Sequence, residues 1–413
     1  MKILFAFENP LPNSQADAEV FATTARYLAR HATESWLHTP LARGTSLGAL
    51  WRSLGVPVIR AWAPLSPPAL RHFCCGLTLP LRQAFKQADF IYTRNLWVSG
   101  LAILFGQRVV FDHYRPWPDQ IPPLQHYLFT LFGHQRFIGA ICHSAYTRQK
   151  YIELGVPPEK LTCVHNGFEP GRFHAPLGPA EAKAHIGLDP AAKTVVYTGR
   201  VNHKKGLELV LQAARLCPEL TFLLVGSEDP NGPIERQAAD LPNVRIIPWQ
   251  TDATLPAYIF AADVLLIPPS AAPLAKFGST VLPLKLFFYL GSTRPILAGQ
   301  TPDIAEILTS GETAHLVPPD SLPELVAGLK RLTTDAPYAA HLSAGAARHA
   351  KGFTWEGRAA KIAAAIEAWR AAPAPAPEPW DGAKWRRFGK QSRRWLKHLL
   401  TTRSVILPPG ALE

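Results

Sequence analysis

The stretch Val195-Val-Tyr-Thr-Gly199-Arg200-Val-Asn-His-Lys204-Lys205-Gly206-Leu207 constrains this chain more than any other. A β-branched apolar run ends in glycine, and after a basic loop a helical pattern opens at Leu207, with Val210, Leu211 and Ala214 on one face. A strand-loop-helix turn aims free backbone N–H groups and the positive end of the helix dipole at one spot. Glycines 199 and 206 permit close backbone approach. Arg200, Lys204 and Lys205 add positive charge, and arginine grips phosphate through two parallel hydrogen bonds. Taken alone, the stretch reads either as a phosphate-binding loop or as a solvated loop that is merely basic.

The rest of the chain frames that loop. With 413 residues there is room for two domains of ordinary size, and 47% hydrophobic content supports real cores. No apolar run reaches the ~18–20 residues that span a bilayer, and Ile3–Phe7 reads as a first strand instead of a signal segment. Five cysteines, odd in number and without a Cys-x-x-Cys pair, support neither a disulfide framework nor a zinc site, so a cytoplasmic setting is expected.

Apolar runs alternate with amphipathic segments throughout. Strands are expected at 2–7, 90–93, 108–111 and 138–142, with helices at 16–31 and 147–154. After a Pro/Gly/Ala-rich connection at 170–179, strands are expected at 194–198, 221–225, 244–247, 264–267 and 295–298. Helices should intervene at 207–217, 254–261, 284–290, 304–308 and 322–332. The pattern predicts an α/β chain of two doubly wound, Rossmann-like domains, 1–173 and 174–370, whose ligand binds in a cleft at the carboxyl ends of the strands. The helix 355–370 closes the second domain or crosses back to the first.

Residues 371–379 are an Ala/Pro run, expected to be an extended spacer. The segment 380–413 beyond it is expected to carry a basic amphipathic helix. Between Trp380 and Leu400 lie seven Lys/Arg against one Asp, half of the chain's net charge of +12, which leaves the body mildly basic. On a helical wheel Trp385, Phe388, Ser392, Trp395, Leu396, Leu399 and Leu400 share one arc of about 140° that excludes every basic residue of the segment. That pattern predicts an anionic membrane surface as partner, the alternative being a terminal helix packed back on the protein or on another one. Nucleic-acid binding is not expected.

With these residues placed, the chain resembles the retaining glycosyltransferases of family 4, which have the two-domain GT-B architecture. The resemblance rests on motifs in order from residue 1 to about 370: Ile3–Phe7, Phe90-Ile-Tyr-Thr-Arg94, Val109-Val-Phe-Asp-His113, Glu153–Lys160, Val164-His-Asn166-Gly-Phe-Glu169, the Gly199–Gly206 loop, Ala262-Asp-Val264 and Pro302–Asp320. It implies transfer of a sugar from a nucleotide sugar held by the second domain to an acceptor held by the first, without cofactor or metal. Arg200 and Lys205 would neutralise the departing diphosphate, His113 would hydrogen-bond near the donor sugar, and Gly199, Lys204, Gly206, Lys285 and Glu306 would line the donor site. Asn13, Ser14, Arg94 and Asn166 are acceptor-side candidates.

The chain departs from the family where two glutamates are expected eight positions apart. The marker Pro295-Ile-Leu-Ala298 fixes the register and puts Thr280 and Phe288 in their places. Phenylalanine accepts no hydrogen bond from ribose, and threonine offers only a neutral hydroxyl. The resulting expectation is a hexosyl-type, nucleotide-sugar-dependent transferase acting at the inner membrane face on a lipid-linked or cell-surface glycan acceptor. The competing expectation is a catalytically degenerate relative that binds a partner in glycan assembly.

Overall fold

A computed structural model describes residues 1–13, 15–113, 115, 117–173, 177–271 and 282–408. The chain forms two compact units. The first comprises Met1–Asn166 together with Trp355–Leu407, and the second is Gly167–Thr354. The division falls at Asn166, seven residues before the expected boundary, and Phe168 already bonds within the second unit, its N–H donating to Phe353 O.

The first unit is built on a parallel seven-stranded sheet. Its strands are β1 (Lys2–Ala6), β2 (Glu34–Thr39), β3 (Val58–Arg60), β4 (Phe90–Thr93), β5 (Val109–His113), β6 (Phe137–Cys142) and β7 (Leu161–Cys163), in the order β3-β2-β1-β4-β5-β6-β7. Alternation along β1 divides the core. Leu4 and Ala6 meet Cys75, Leu79, Val98 and Ala102 on one side, while Phe5 and Phe7 pack on Phe21 on the other. The helix Trp355–Ala371 lies beside Ala16–Leu28 and over β6, where the Trp369 ring fits because residue 139 is glycine: a methyl group there would sit 2.6 Å from it.

The second unit holds β8 (Lys193–Thr198), β9 (Leu220–Ser227), β10 (Val244–Pro248), β11 (Val264–Leu266), β12 (Ile296–Gly299) and β13 (His315–Val317), all parallel, in the order β10-β9-β8-β11-β12-β13. Two apolar layers sandwich this sheet. The expected helix at 304–308 is absent; the backbone there runs through turns after Thr301 accepts and donates locally, Thr301 Oγ1 to Asp303 Oδ1 at 2.5 Å.

The terminal segment corrects the picture of a spacer bearing a detached helix. Pro377 lies against Gly133, and the Trp380 ring sits 5.3 Å from His126 and 5.5 Å from Phe129. The helix Gly382–Thr402, capped by Asp381, packs beside Pro122–Leu124, with Trp385 5.2 Å from His126, and Gln125 Nε2 donates to Gln391 Oε1 at 2.7 Å. Alternating proline keeps a strand-like path that can lie along a surface as readily as leave it. No helix among the described residues is long and apolar enough to cross a membrane.

Candidate active site

In the second unit β8 delivers the basic loop. Gly199 has φ +126° and Gly226, at the end of β9, has φ +121°; a methyl group on Gly226 would lie 2.5 Å from Gly199 O. Glycine at both positions is what lets the two strand ends touch, with Gly199 N–H donating to Val225 O at 2.8 Å. Tyr197 Oη then donates to Arg200 O at 2.8 Å, and Asn202 Oδ1 accepts from Lys204 N–H, tightening the 3₁₀ turn His203–Lys205. Gly206, at φ +69°, opens the helix Leu207–Leu216 without a side-chain cap. The first N–H groups of that helix are therefore left for a ligand.

Cations converge on this turn. Lys285, on the helix Leu284–Gly291, holds its ammonium 3.5 Å above the Tyr197 ring. The same ammonium would be 2.9 Å from a methyl group on Gly199, so the glycine also makes room for the lysine. Burial, then Lys205, pushes the Lys285 pKa well below its usual value. Lys205 is lowered by desolvation, then by Arg200 and Lys204. Among the described residues neither Lys205 nor Lys285 has an ion-pair partner, and Arg200 pairs only with Glu228 at 3.3 Å on the surface. Basic side chains gathered without a neutralising carboxylate give the turn a positive field.

Phe288, at the register position of the family's second glutamate, faces the core. It is 7% exposed and packs in the apolar core with Leu286, Phe287 and Leu290. An aromatic ring gains more from that core than from any polar contact. Tyr289, next to it, supports the loop instead: its hydroxyl accepts from Thr198 N–H at 2.8 Å. Glu306 is half-buried in the turns after β12. Thr280 lies outside the described residues.

In the first unit His113 ends β5 as expected, but it is fully buried. Its Nδ1 shares a 2.8 Å hydrogen bond with Tyr151 Oη, and its Nε2 has no hydrogen-bond partner among the described residues. Burial, then His143 and Arg94, holds its pKa well below the usual value, so the ring is a neutral hydrogen-bonding group. Arg94 is not a free acceptor-side cation. It donates to Asp112 Oδ2 at 3.0 Å and to Asp17 O at 2.9 Å, and Asp112 also pairs with Arg358 at 3.1 Å, forming a buried triad. Asn13 folds its own loop, donating to Pro10 O and accepting from Gln15 N–H. Asn166 is 1% exposed, and both polar atoms of its side chain make no hydrogen bond among the described residues. Ser14 lies outside the described residues.

Glu8, two residues beyond β1, was invisible to motif reading because a single acid after a strand has no pattern. It is 7% exposed, hydrogen-bonded to Asn95, and burial raises its pKa. Its Oε2 has no partner among the described residues. A buried carboxyl oxygen is thus left unsatisfied at the carboxyl edge of the sheet.

Residues 18–172 match the family model described as Glycosyltransferase Family 4, and residues 192–335 match Glycosyl transferases group 1. The lipopolysaccharide core biosynthesis mannosyltransferase LpsB of Rhizobium meliloti (strain 1021) is 30% identical over 221 residues, which are 50% of this chain and 60% of that protein. A D-inositol 3-phosphate glycosyltransferase of Streptomyces bingchenggensis (strain BCW-1) is 27% identical over 254 residues, 56% of this chain and 54% of that protein. The matched part thus spans little more than half the length of these curated relatives. Anabaena HepE, solved in complex with UDP-glucose, superposes with a TM-score of 0.70 at 18% identity, covering 89% of this chain and 99% of that one. WaaG, a glycosyltransferase involved in lipopolysaccharide biosynthesis, gives 0.63 at 14%, covering 88% and 99%. The likeness to these structures carries the fold, two Rossmann-like domains of the GT-B type. Matched in sequence along both units and in fold along nearly its whole length, the chain belongs to the family 4, group 1 glycosyltransferases.

Proposed function

We propose that this protein transfers a sugar from a nucleotide diphosphate sugar to a lipid-linked or cell-surface glycan acceptor, with retention of configuration and without a metal. The observation that carries the reading is the carboxylate-poor cluster of Arg200, Lys205 and Lys285 around the glycine-bounded loop. The bond from the sugar's anomeric carbon to the diphosphate breaks, and the leaving oxygens gain negative charge. Fixed cations and helix N–H groups aimed at that charge bind the transition state more tightly than the substrate. Lys285 stands in the stretch where the family carries its second glutamate, so diphosphate contacts replace part of the grip that a ribose-binding carboxylate would give. Neutral His113 supplies an uncharged hydrogen-bond partner, and the acceptor's proton passes to the leaving phosphate oxygen.

The likeness to a lipopolysaccharide core mannosyltransferase and a D-inositol 3-phosphate glycosyltransferase supports a glycan or phosphorylated acceptor. Arg200→Ala and Lys205→Ala are each expected to lower kcat/KM at least tenfold, about 1.4 kcal/mol of transition-state stabilisation. Unchanged turnover in both variants overturns the assignment. A binding protein without turnover is favoured by one observation, the burial of Phe288. Calorimetry against UDP, GDP, ADP and their sugars, followed by release of free nucleotide, separates the two: binding without release supports the second reading.

A further inference from the structure

The net charge conceals a division between the units. Residues 167–354 carry sixteen Lys/Arg and seventeen Asp/Glu. Between Ser35 and Ile152 there are twelve Lys/Arg and only three carboxylates. Each of those three is already paired: Asp89 with Arg370, Asp112 with Arg94 and Arg358, and Asp119 with Lys150. The described residues 382–408 carry eight Lys/Arg and no acid. The excess positive charge therefore belongs to the first unit, body and tail together.

Exposed apolar bulk follows the same division. Of seventeen large apolar side chains exposed among the described residues, fifteen are in the first unit. Helices on one side of its sheet form a row. Pro68–Thr78 meets Leu96–Leu104, since a methyl group on Gly76 would lie 2.7 Å from Leu101. Leu96–Leu104 meets Gln125–Gly133 through Tyr127 Oη donating to Leu96 O, and Gln125–Gly133 meets the terminal helix where His126 lies 5.2 Å from Trp385. Leu70, Phe73 and Leu77, spaced three and four apart, make an exposed stripe on the first of these. Trp97 and Leu104, 58% and 76% exposed, continue it on the second. On the terminal helix Phe388 and Trp395 are half-buried, while Trp385, Leu396 and Leu400 are exposed, with Arg386, Lys390, Arg393 and Lys397 exposed on the same helix.

We infer that this row of helices, and not the terminal helix alone, is the surface by which the protein lies on an anionic phospholipid bilayer. The inference deepens the lipid-linked acceptor reading and rests on it. Apolar side chains enter the interface, and the surrounding arginines and lysines meet lipid phosphates, with no unpaired carboxylate in the row to oppose them. Scattered exposed leucines need no partner, but a patch confined to one unit and ringed by one sign of charge does.

Co-sedimentation of the full chain tests this with phosphatidylcholine vesicles containing or lacking phosphatidylglycerol. The wild type is expected to bind only the anionic vesicles. The triple variant Leu70→Gln, Leu77→Gln, Leu104→Gln, which leaves the terminal helix untouched, is expected to bind at least tenfold more weakly at unchanged melting temperature. Arg393→Gln with Lys397→Gln should weaken binding as well, and more so as salt rises. Wild-type binding by the triple variant overturns the inference, because the tail then anchors alone. So does a wild type that ignores both vesicles but self-associates through these leucines. Nucleotide binding in the same preparations keeps the two readings apart: Arg200→Ala should lose nucleotide and keep vesicles, and the leucine variant the reverse.

Discussion

His38, His113 and His143 are held neutral inside the first unit, chiefly by burial, which lowers His38 to about 3 and His143 to about 4. In the unfolded chain each would titrate near 6.5, so below that pH the unfolded state takes up protons that the native state refuses. Their stabilisation is complete above pH 6.5 and is lost as the pH falls toward the folded values. Between pH 7 and 5 His38 and His143 are each expected to cost about 2 kcal/mol. Ten of the eleven tryptophans lie in the first unit, so urea unfolding followed by tryptophan fluorescence reads this directly, and His143→Gln should flatten the pH dependence. Glu8 has the opposite sign: its raised pKa means that ionisation opposes folding above the ordinary carboxyl range. Glu8→Gln is expected to stabilise the protein at pH 7 in urea unfolding. Thr293, a β-branched residue at φ +60°, strains the turn between Leu284–Gly291 and β12. Thr293→Gly should raise the melting temperature by a few degrees, since the left-handed backbone costs an L residue about 1–2 kcal/mol.

At the scale of elements, the strands that repeat a strong apolar run were legible in the sequence, and the weak ones were not. β3, β7 and β13 are three residues each, too short to show a period. β2 reads Glu-Ser-Trp-Leu-His-Thr, and its buried His38 and Thr39 disguise it as a polar segment. Leu96–Leu104 is apolar nearly all round, so no stripe marks it as a helix although Asn95 caps it with two hydrogen bonds. The basic loop was legible because glycine and charge alternate there for a chemical reason. Lys285 could be tied to it only through helix register, and the burial of Phe288 required the core. The pairing of Arg94 with Asp112 was not legible, because an arginine at a strand end looks alike whether it meets a ligand or a buried aspartate. One contact between elements makes a clean test. Gly139→Ala is expected to force Trp369 off β6, losing its 2.7 Å hydrogen bond to Glu159 O and costing about 1–3 kcal/mol in tryptophan-monitored unfolding.

Over the whole molecule, charge and chain order tell the two units apart. The second is continuous in sequence and nearly neutral, so residues 167–354 expressed alone are expected to fold and retain nucleotide binding, checked by calorimetry. The first is interrupted and should not survive the same treatment. Its seven strands are all specified by Cys163, yet the helix that covers one side of the sheet begins at Trp355. A ribosome must therefore finish the entire second unit before the first can close. A nascent chain that stops short of Trp355 leaves Gly139 without its tryptophan cover and Asp112 with one arginine instead of two, an open apolar trough with a half-neutralised charge at its edge. Premature termination or proteolysis that removes Arg358 and Trp369 thus damages the unit made first, while sparing the unit made second.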